Sequence, residues 1–289
     1  MSWRTVIITK RCKLDLSMGY MVIRGEETNR VFIDEIAILI IENPAVSITG
    51  CLLSELSQKK IRIIFCDEKR SPYAELQPYY GCHDCSRKLK TQLEWTENLK
   101  KSIWTEIVSE KIRNQAKILA HFGHTQESAM LSDYVSGITF GDETNREGHA
   151  AKVYFNALFG KDFSRGQENS INAALNYGYS LILSAFNREI TLNGYLTQMG
   201  LFHDNMFNPY NLSCDLMEPF RPIIDREVIN MSISEFTKDE KHNLVSILHS
   251  SFVIAKTEQT LLNTIKIYTK SVFNALSNSD VLQIEFAAI

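Results

Sequence analysis

Over the first 75 positions the apolar residues fall in short runs, and after that they change period. Val6-Ile7-Ile8, Leu14 to Leu16, Tyr20 to Ile23 and Val31-Phe32-Ile33 are β-branched or aromatic runs broken by Gly19, Gly25 and Asn29, a strand-and-turn pattern. Ile36 to Ile41 and Ile61 to Cys66 read as buried strands. Between them Thr49 to Ser57 has helical spacing, with Leu52, Leu53 and Leu56 on one face. The pattern predicts a small β domain over residues 1–75 that carries one short helix.

Pro72, Pro78, the neighbouring tyrosines and Gly81 make a linker-like stretch, placed at 76–85. Beyond it the period is helical almost to the end. Residues 86–120 predict one or two long amphipathic helices, with further helices over 127–136, 146–159, 168–187, 188–199, 215–230 and 240–278. The tail VLQIEFAAI is apolar and partly alternating, which suits docking on a partner or on the body. The expected class is α+β, with an all-α domain over 86–289 larger than the β domain before it.

Charge narrows the function classes. The chain carries a net charge of -3 at pH 7, so nucleic-acid binding by overall charge is excluded and any such contact must use local basic patches or a basic partner. One such patch exists. Between 87 and 117 there are eight Lys/Arg (87, 88, 90, 100, 101, 111, 113, 117) against four Glu (94, 97, 106, 110). The window reads either as a solvated face laced with pairs such as Glu97–Lys101 or as a phosphate-facing stripe. The opening residues show no basic-then-apolar leader, and Ile36 to Ile41 is too short to span a bilayer; the expected location is the cytoplasm. The CxxC formed by Cys82 and Cys85 lacks a second ligand pair at zinc-finger spacing and reads as incidental.

The chemistry concentrates in residues 203–225, HDNMFNPYNLSCDLMEPFRPIID. They place His203, Asp215, Glu218 and Arg221 in one window, and Glu147 opens a helix upstream in GDETNREGHAAKVYF. Thr144-x-x-Glu147 and Asp215-x-x-Glu218 both match capping spacing, so helix starts are the plain reading of these acids. Pro219 suits a first helical turn and disfavours the α conformation at Glu218. Against that, the Asn- and Pro-rich loop after His203 can fold the imidazole back toward the acids. Two carboxylates and one imidazole suit Mg²⁺ or Mn²⁺ rather than zinc or non-haem iron, and such an ion activates a hydroxyl for attack on a phosphodiester.

NREGHAAKVYF, FSRGQENSINAALNYGYSLI and GLFHDNMFNPYNLSCDLMEPFRPIID resemble the three motif blocks of the CRISPR-associated integrase family. IDEIAILIIENPAVSITGCLLSELSQKKIRIIFCDE resembles that family's β domain and KIRNQAKIL its first long helix, so the likeness covers roughly residues 1 to 230. The opening and length look most like the version from CRISPR systems with a single large effector nuclease, type II-A. The resemblance implies an N-terminal β-sandwich serving dimerisation and partner docking, and a helical catalytic domain. It implies Glu147, His203 and Glu218 as catalytic metal ligands for Mg²⁺ or Mn²⁺, with Glu218 standing where many members have Asp. Asp215, Arg221 and Asp225 would support them. Lys88, Lys90, Lys111, Arg113, Arg165, Tyr177 and Tyr179 would approach DNA, which turns the basic window into a DNA face; Asn172 and Asn176 fall in the same middle block. The implied reaction is transesterification, in which the 3′-hydroxyl of a captured double-stranded fragment attacks the end of a CRISPR repeat. The implied assembly is a heterohexamer, two homodimers of this chain flanking a dimer of a small ferredoxin-like partner. From the residues themselves, two other readings stay open: a structure-selective nuclease using water at the same site, and a non-catalytic DNA scaffold whose acids are only caps.

Overall fold

The short runs of the N-terminal part become strands β1 (Arg4–Ile8), β2 (Lys13–Ser17), β3 (Tyr20–Arg24), β4 (Thr28–Phe32), β5 (Ile36–Ile41) and β6 (Ser47–Ile48), helix α1 (Gly50–Gln58), and strands β7 (Arg62–Cys66) and β8 (Pro72–Leu76). This computed structural model describes residues 4–76 and 82–289. Contacts divide the chain into two compact units, Met1–His83 and Asp84–Ile289.

The first unit holds two four-stranded sheets, in the orders β1-β5-β7-β8 and β4-β3-β2-β6. In the first sheet β1, β5 and β7 run parallel and β8 pairs antiparallel with β7. All six residues of β5 are buried, as an unbroken aliphatic run between two parallel neighbours requires. Thr49 caps α1 by accepting from the Leu52 amide at 3.4 Å. The helix then places Leu52 and Leu56 in a core with Val6 and Ile8 of β1, Leu14 of β2, Met21 of β3, Leu39 of β5 and Ile63 of β7. Each fully buried Leu or Ile there contributes about 1.5–3 kcal/mol. Met18 and Gly19 both have positive φ (50° and 79°), the conformation of the two-residue turn that joins β2 to β3. Pro72, grouped with the turn-rich stretch in sequence, opens β8, an edge strand that proline tolerates. Residues 77–81 of that stretch lie outside the described residues.

The second unit comprises α2 (Cys85–Leu93), α3 (Glu97–His121), α4 (Thr125–Ser136), α5 (Arg146–Phe159), α6 (Ser170–Leu192), α7 (Asn211–Met217), α8 (Arg221–Asn230), α9 (Lys238–Ser246), the strands β9 (Ser251–Ile254) and β10 (Thr257–Thr260), and α10 (Leu261–Asn278). Thirteen residues of α3 between Ile103 and Leu119 are buried, and it contacts α4, α5, α7, α8 and α10. The central helix of a bundle is covered on most sides.

Three expectations change here. The helices placed at 168–187 and 188–199 are one, α6, which ends at Leu192; Gly194 follows at φ 85° while Tyr195 N–H bonds the Ile190 carbonyl, a glycine-mediated stop. The helix placed at 215–230 is cut by a 3₁₀ turn over Glu218–Phe220, where Pro219 and Pro222 supply no N–H. Glu218 itself stays α-helical at φ −53°, ψ −44°, so packing overrides the steric bias imposed by Pro219. The helix placed at 240–278 is interrupted by the β9–β10 hairpin, turned through Ala255 and Lys256 at φ 48° and 61°. Phe252 and Ile254 are buried while Val253 is exposed, a period of two that a helical stripe overlaps in so short a run. The apolar tail docks on the body: Ala288 N–H donates to the Val253 carbonyl at 2.8 Å and Ala287 is buried.

Candidate catalytic and metal-binding site

Glu147 reaches its place because α5 starts one residue later than a cap at Thr144 would set it. The N-cap is Asn145, at φ 53°, whose Oδ1 accepts from the Gly148 amide at 3.2 Å. Buried Asp142 accepts from the Arg146 and Glu147 amides at 2.8 and 3.0 Å. With those amides satisfied by Asn145 and Asp142, the Glu147 carboxylate turns away from the backbone and pairs with the ammonium of Lys111. Glu218, on the 3₁₀ turn, pairs with the same ammonium through Oε2, and its Oε1 accepts from Arg221 Nε at 2.9 Å. Asn114, one turn after Lys111 on α3, fixes that turn by donating to the Pro219 carbonyl at 3.1 Å.

Asp215 does not cap α7. It is fully buried within the helix and gathers the chain around His203. It accepts from the amides of Leu201, Phe202 and His203 at 2.6, 3.1 and 3.2 Å, and its Oδ1 lies 2.5 Å from His203 Nδ1. The wrap is close enough that a Cβ on Gly200 would stand 2.3 Å from the His203 carbonyl oxygen and 2.7 Å from the Asp215 carboxylate. The imidazole also meets the edge of Trp104, which is stacked on Phe202 with centroids 4.5 Å apart. With Nδ1 held by a carboxylate, the second ring nitrogen is the one oriented for a ligand.

Electrostatics bind the cluster. Burial raises the Glu218 carboxyl, but Arg221 and Lys111 outweigh it and hold it at about 2. Burial lowers the Lys111 ammonium, and the Coulomb attraction of Glu218 and Glu147 reverses this to a net rise. The Asp215 hydrogen bond raises His203, and Glu218 adds to it. Behind the cluster, Tyr179 donates to Asp225 and Arg221 lies 4.7 Å over the Tyr179 ring. Burial pushes the Asp225 carboxyl up to about 6.

The structure therefore brings Glu147 and Glu218 onto one shared cation and sets His203 near enough for Glu218 to act on its charge. Among the described residues, no group of three His, Cys, Asp or Glu stands arranged around a single ion; the ammonium of Lys111 holds the position between the two acids. The donor set fits a hard divalent ion, since the paired carboxylates already coordinate a cation and the oriented imidazole supplies nitrogen.

The residues expected to face DNA separate. Lys90 and Arg113 are exposed, with Arg113 bonded to Glu110 at 3.1 Å. Lys88 is half-buried against Tyr195, and Arg165 is half-buried, with Asn172 and Asn176 accepting from its guanidinium. Lys111 is buried between the acids rather than on a phosphate-facing stripe. Tyr177 and Tyr179 are buried in α6, one edge-on to Phe236 and the other on Asp225, while Ala173 and Asn176 of the same helix are exposed. Asp142 is a site residue that sequence reasoning missed, and Lys111, expected on the DNA face, instead joins the two acids. Only Asp142's place five residues before Glu147 hinted at its role, and nothing distinguished Lys111 from its basic neighbours.

With this geometry in view, comparison with known proteins gives a consistent result. The family model described as CRISPR associated protein Cas1 matches residues 5–249. The CRISPR-associated endonuclease Cas1 of Neisseria meningitidis serogroup C (strain 8013) is 36% identical over 295 residues, covering 100% of this chain and 97% of that protein. A CRISPR-associated endonuclease Cas1 of Francisella tularensis subsp. novicida (strain U112) is 25% identical over 240 residues, 75% of each chain. Among solved structures, a casposase bound to integration product has TM-score 0.80 at 16% identity, covering 97% of this chain and 93% of that one. A Cas1 protein from Thermotoga maritima has TM-score 0.76 at 18% identity, covering 95% and 97%. A chain of a Cas6-RT-Cas1–Cas2 complex has TM-score 0.76 at 17% identity, covering 97% of this chain and 36% of its own length. At these identities the structural matches show the shared fold. The family model and the curated relatives define the class, the CRISPR-associated proteins whose named members are endonucleases. The chain belongs to the Cas1 family.

Among the described residues no helix is long and apolar enough to cross a membrane.

Proposed function

We propose that this chain is the metal-dependent DNA integrase of CRISPR spacer acquisition, joining the 3′-hydroxyl ends of captured double-stranded fragments to CRISPR repeat DNA by transesterification. The observation that carries the reading is the convergence of Glu147 and Glu218, from elements 71 positions apart in sequence, on one buried cation position, with His203 oriented by Asp215 and within the electrostatic reach of Glu218. Mg²⁺ or Mn²⁺ held by Glu147, His203 and Glu218 would polarise the scissile phosphate and acidify the attacking hydroxyl. The chain's own residues do the rest. Asp215 holds the imidazole tautomer, Arg221 keeps Glu218 ionised and stands ready for phosphate charge, and the Tyr179–Asp225 pair braces Arg221 from behind. The exposed Lys90 and Arg113, with Lys88 and Arg165 at the margins, supply phosphate contacts.

In this reading the two sheets of the N-terminal unit form a sandwich that mediates homodimerisation and docking. Dimers flank a small ferredoxin-like partner subunit in a heterohexamer, in the cytoplasm, and the CRISPR system is of type II-A. The Cas1–Cas2 complexes among the structural neighbours support a partner subunit. Hydrolysis by water at the same site is the second reading, favoured by the endonuclease named in the relatives.

The test mixes the chain and its partner subunit with short duplex, repeat-bearing plasmid and Mg²⁺ or Mn²⁺. Joined product is expected from the wild type and is lost with Glu147→Gln, His203→Ala or Glu218→Gln at unchanged circular dichroism. Cleavage without joined product supports the nuclease instead. A triple variant that still joins DNA removes the site.

A further inference from the structure

The loop that carries His203 ends in a feature the metal chemistry does not use. Met206 and Phe207 are each 87% exposed, an arrangement that costs hydration free energy unless something covers them. The loop is not slack. Asn205 Oδ1 accepts from the Phe207 amide at 2.9 Å, Asn208 N–H bonds the Asn205 carbonyl at 2.9 Å, and Asn211 Nδ2 donates to the Gln198 and Asn205 carbonyls at 3.0 and 3.1 Å. Asn208 Oδ1 takes the Tyr210 amide at 3.0 Å. This amide ladder presents Phe207 in a fixed place, four positions from the imidazole.

The chemistry of the loop selects its partner. Residues 204–210, Asp-Asn-Met-Phe-Asn-Pro-Tyr, contain no cation and one carboxylate, so the loop is unsuited to phosphate. Two side chains are far smaller than the roughly 800 Å² per partner of a stable protein interface. An aromatic ring with a flexible thioether beside it matches the face of one nucleobase. We propose that Phe207, backed by Met206, is a stacking platform for an unpaired nucleobase of the DNA whose phosphate lies at His203. Four residues span at most about 14 Å, which places that base within roughly four nucleotides of the reacting link at about 3.4 Å each. Stacking there would hold the strand splayed and fix the register of the reacting end. The inference rests on the integrase reading for the identity of the ligand.

The test measures affinity by fluorescence anisotropy for two probes, a fully paired duplex and the same duplex with unpaired 3′ ends, using the full chain. Phe207→Ala is expected to weaken binding to the unpaired-end probe roughly 5- to 150-fold and to leave the paired duplex within about twofold. Met206→Ala should have a smaller effect in the same direction, and Phe207→Trp should bind as the wild type does. Thermal melting controls for folding, which an exposed side chain should not affect. Equal affinity of Phe207→Ala and wild type for unpaired ends overturns the proposal, as does equal weakening on both probes. Wild-type protein that binds neither probe removes the integrase reading itself, and this inference with it.

Discussion

Replacing Lys111 with methionine separates the two roles this residue has been given. A phosphate-facing lysine on a solvated helix contributes within about 0.5 kcal/mol to stability. Here its side chain is only 8% exposed and neutralises Glu147 and Glu218 together, with the Glu218 side chain itself 6% exposed. Arg221 and Lys111 hold Glu218 at about 2 against an ordinary 4.5. At about 1.36 kcal/mol per pH unit, that carboxylate contributes about 3 kcal/mol at neutral pH. The sign follows from a depressed folded pKa: the contribution is complete above 4.5 and is lost as pH falls through 2. Removing Lys111 leaves Glu147 without its cation and buried Glu218 with Arg221 alone, and breaking a buried pair costs about 3–5 kcal/mol. Urea unfolding followed by the fluorescence of Trp95 and Trp104, both in the helical unit, should show Lys111→Met less stable by about 3 kcal/mol at pH 7. The gap should narrow as pH falls toward 4, because losing Lys111 raises the Glu218 carboxyl and lets it take up a proton at higher pH than in the wild type. Saturating Mn²⁺ should restore stability in the variant more than in the wild type, because an ion bound to the folded state alone stabilises it by mass action. A loss below about 1 kcal/mol at pH 7, unchanged at pH 4, would refute the buried-bridge assignment and return Lys111 to the surface.

Asp215→Asn should reduce strand joining about 10- to 100-fold, the usual effect of removing an orienting carboxylate. In the same variant His203 should titrate lower than in the wild type by NMR, because the bond that raises it is gone; an unmoved titration would show that Asp215 does not control the ring. Gly178→Ala should destabilise the chain by about 1–3 kcal/mol, since its Cβ would lie 2.4 Å from Ile224 Cγ2 where α6 meets α8. Ile224→Ala should relieve most of that loss in the double variant, and thermal melts that show simple additivity would mean the two sites are not in contact.

Much of this protein is legible in local pattern. The six-residue aliphatic run of β5, the leucine face of α1 and the change of period near residue 85 are properties of neighbouring residues, and burial rewards them wherever the chain folds. His203, Asp215 and Glu218 could be singled out because they share one window, and Glu147 because a motif marks it. What sequence could not supply is which of several equivalent options packing selects. The hairpin at Ser251–Thr260 hid inside a helical stripe, because four residues of period two fit both patterns. Glu218 keeps an α conformation before proline because Asn114 and the buried turn hold it there. Lys111 looks like any other cation of its basic window; only the approach of α5 and the 218–220 turn to α3 places two carboxylates around it and makes a surface-type residue part of the interior. Periodicity is a property of neighbours along the chain, whereas a site is a property of neighbours across it, and those are settled only when the helices pack.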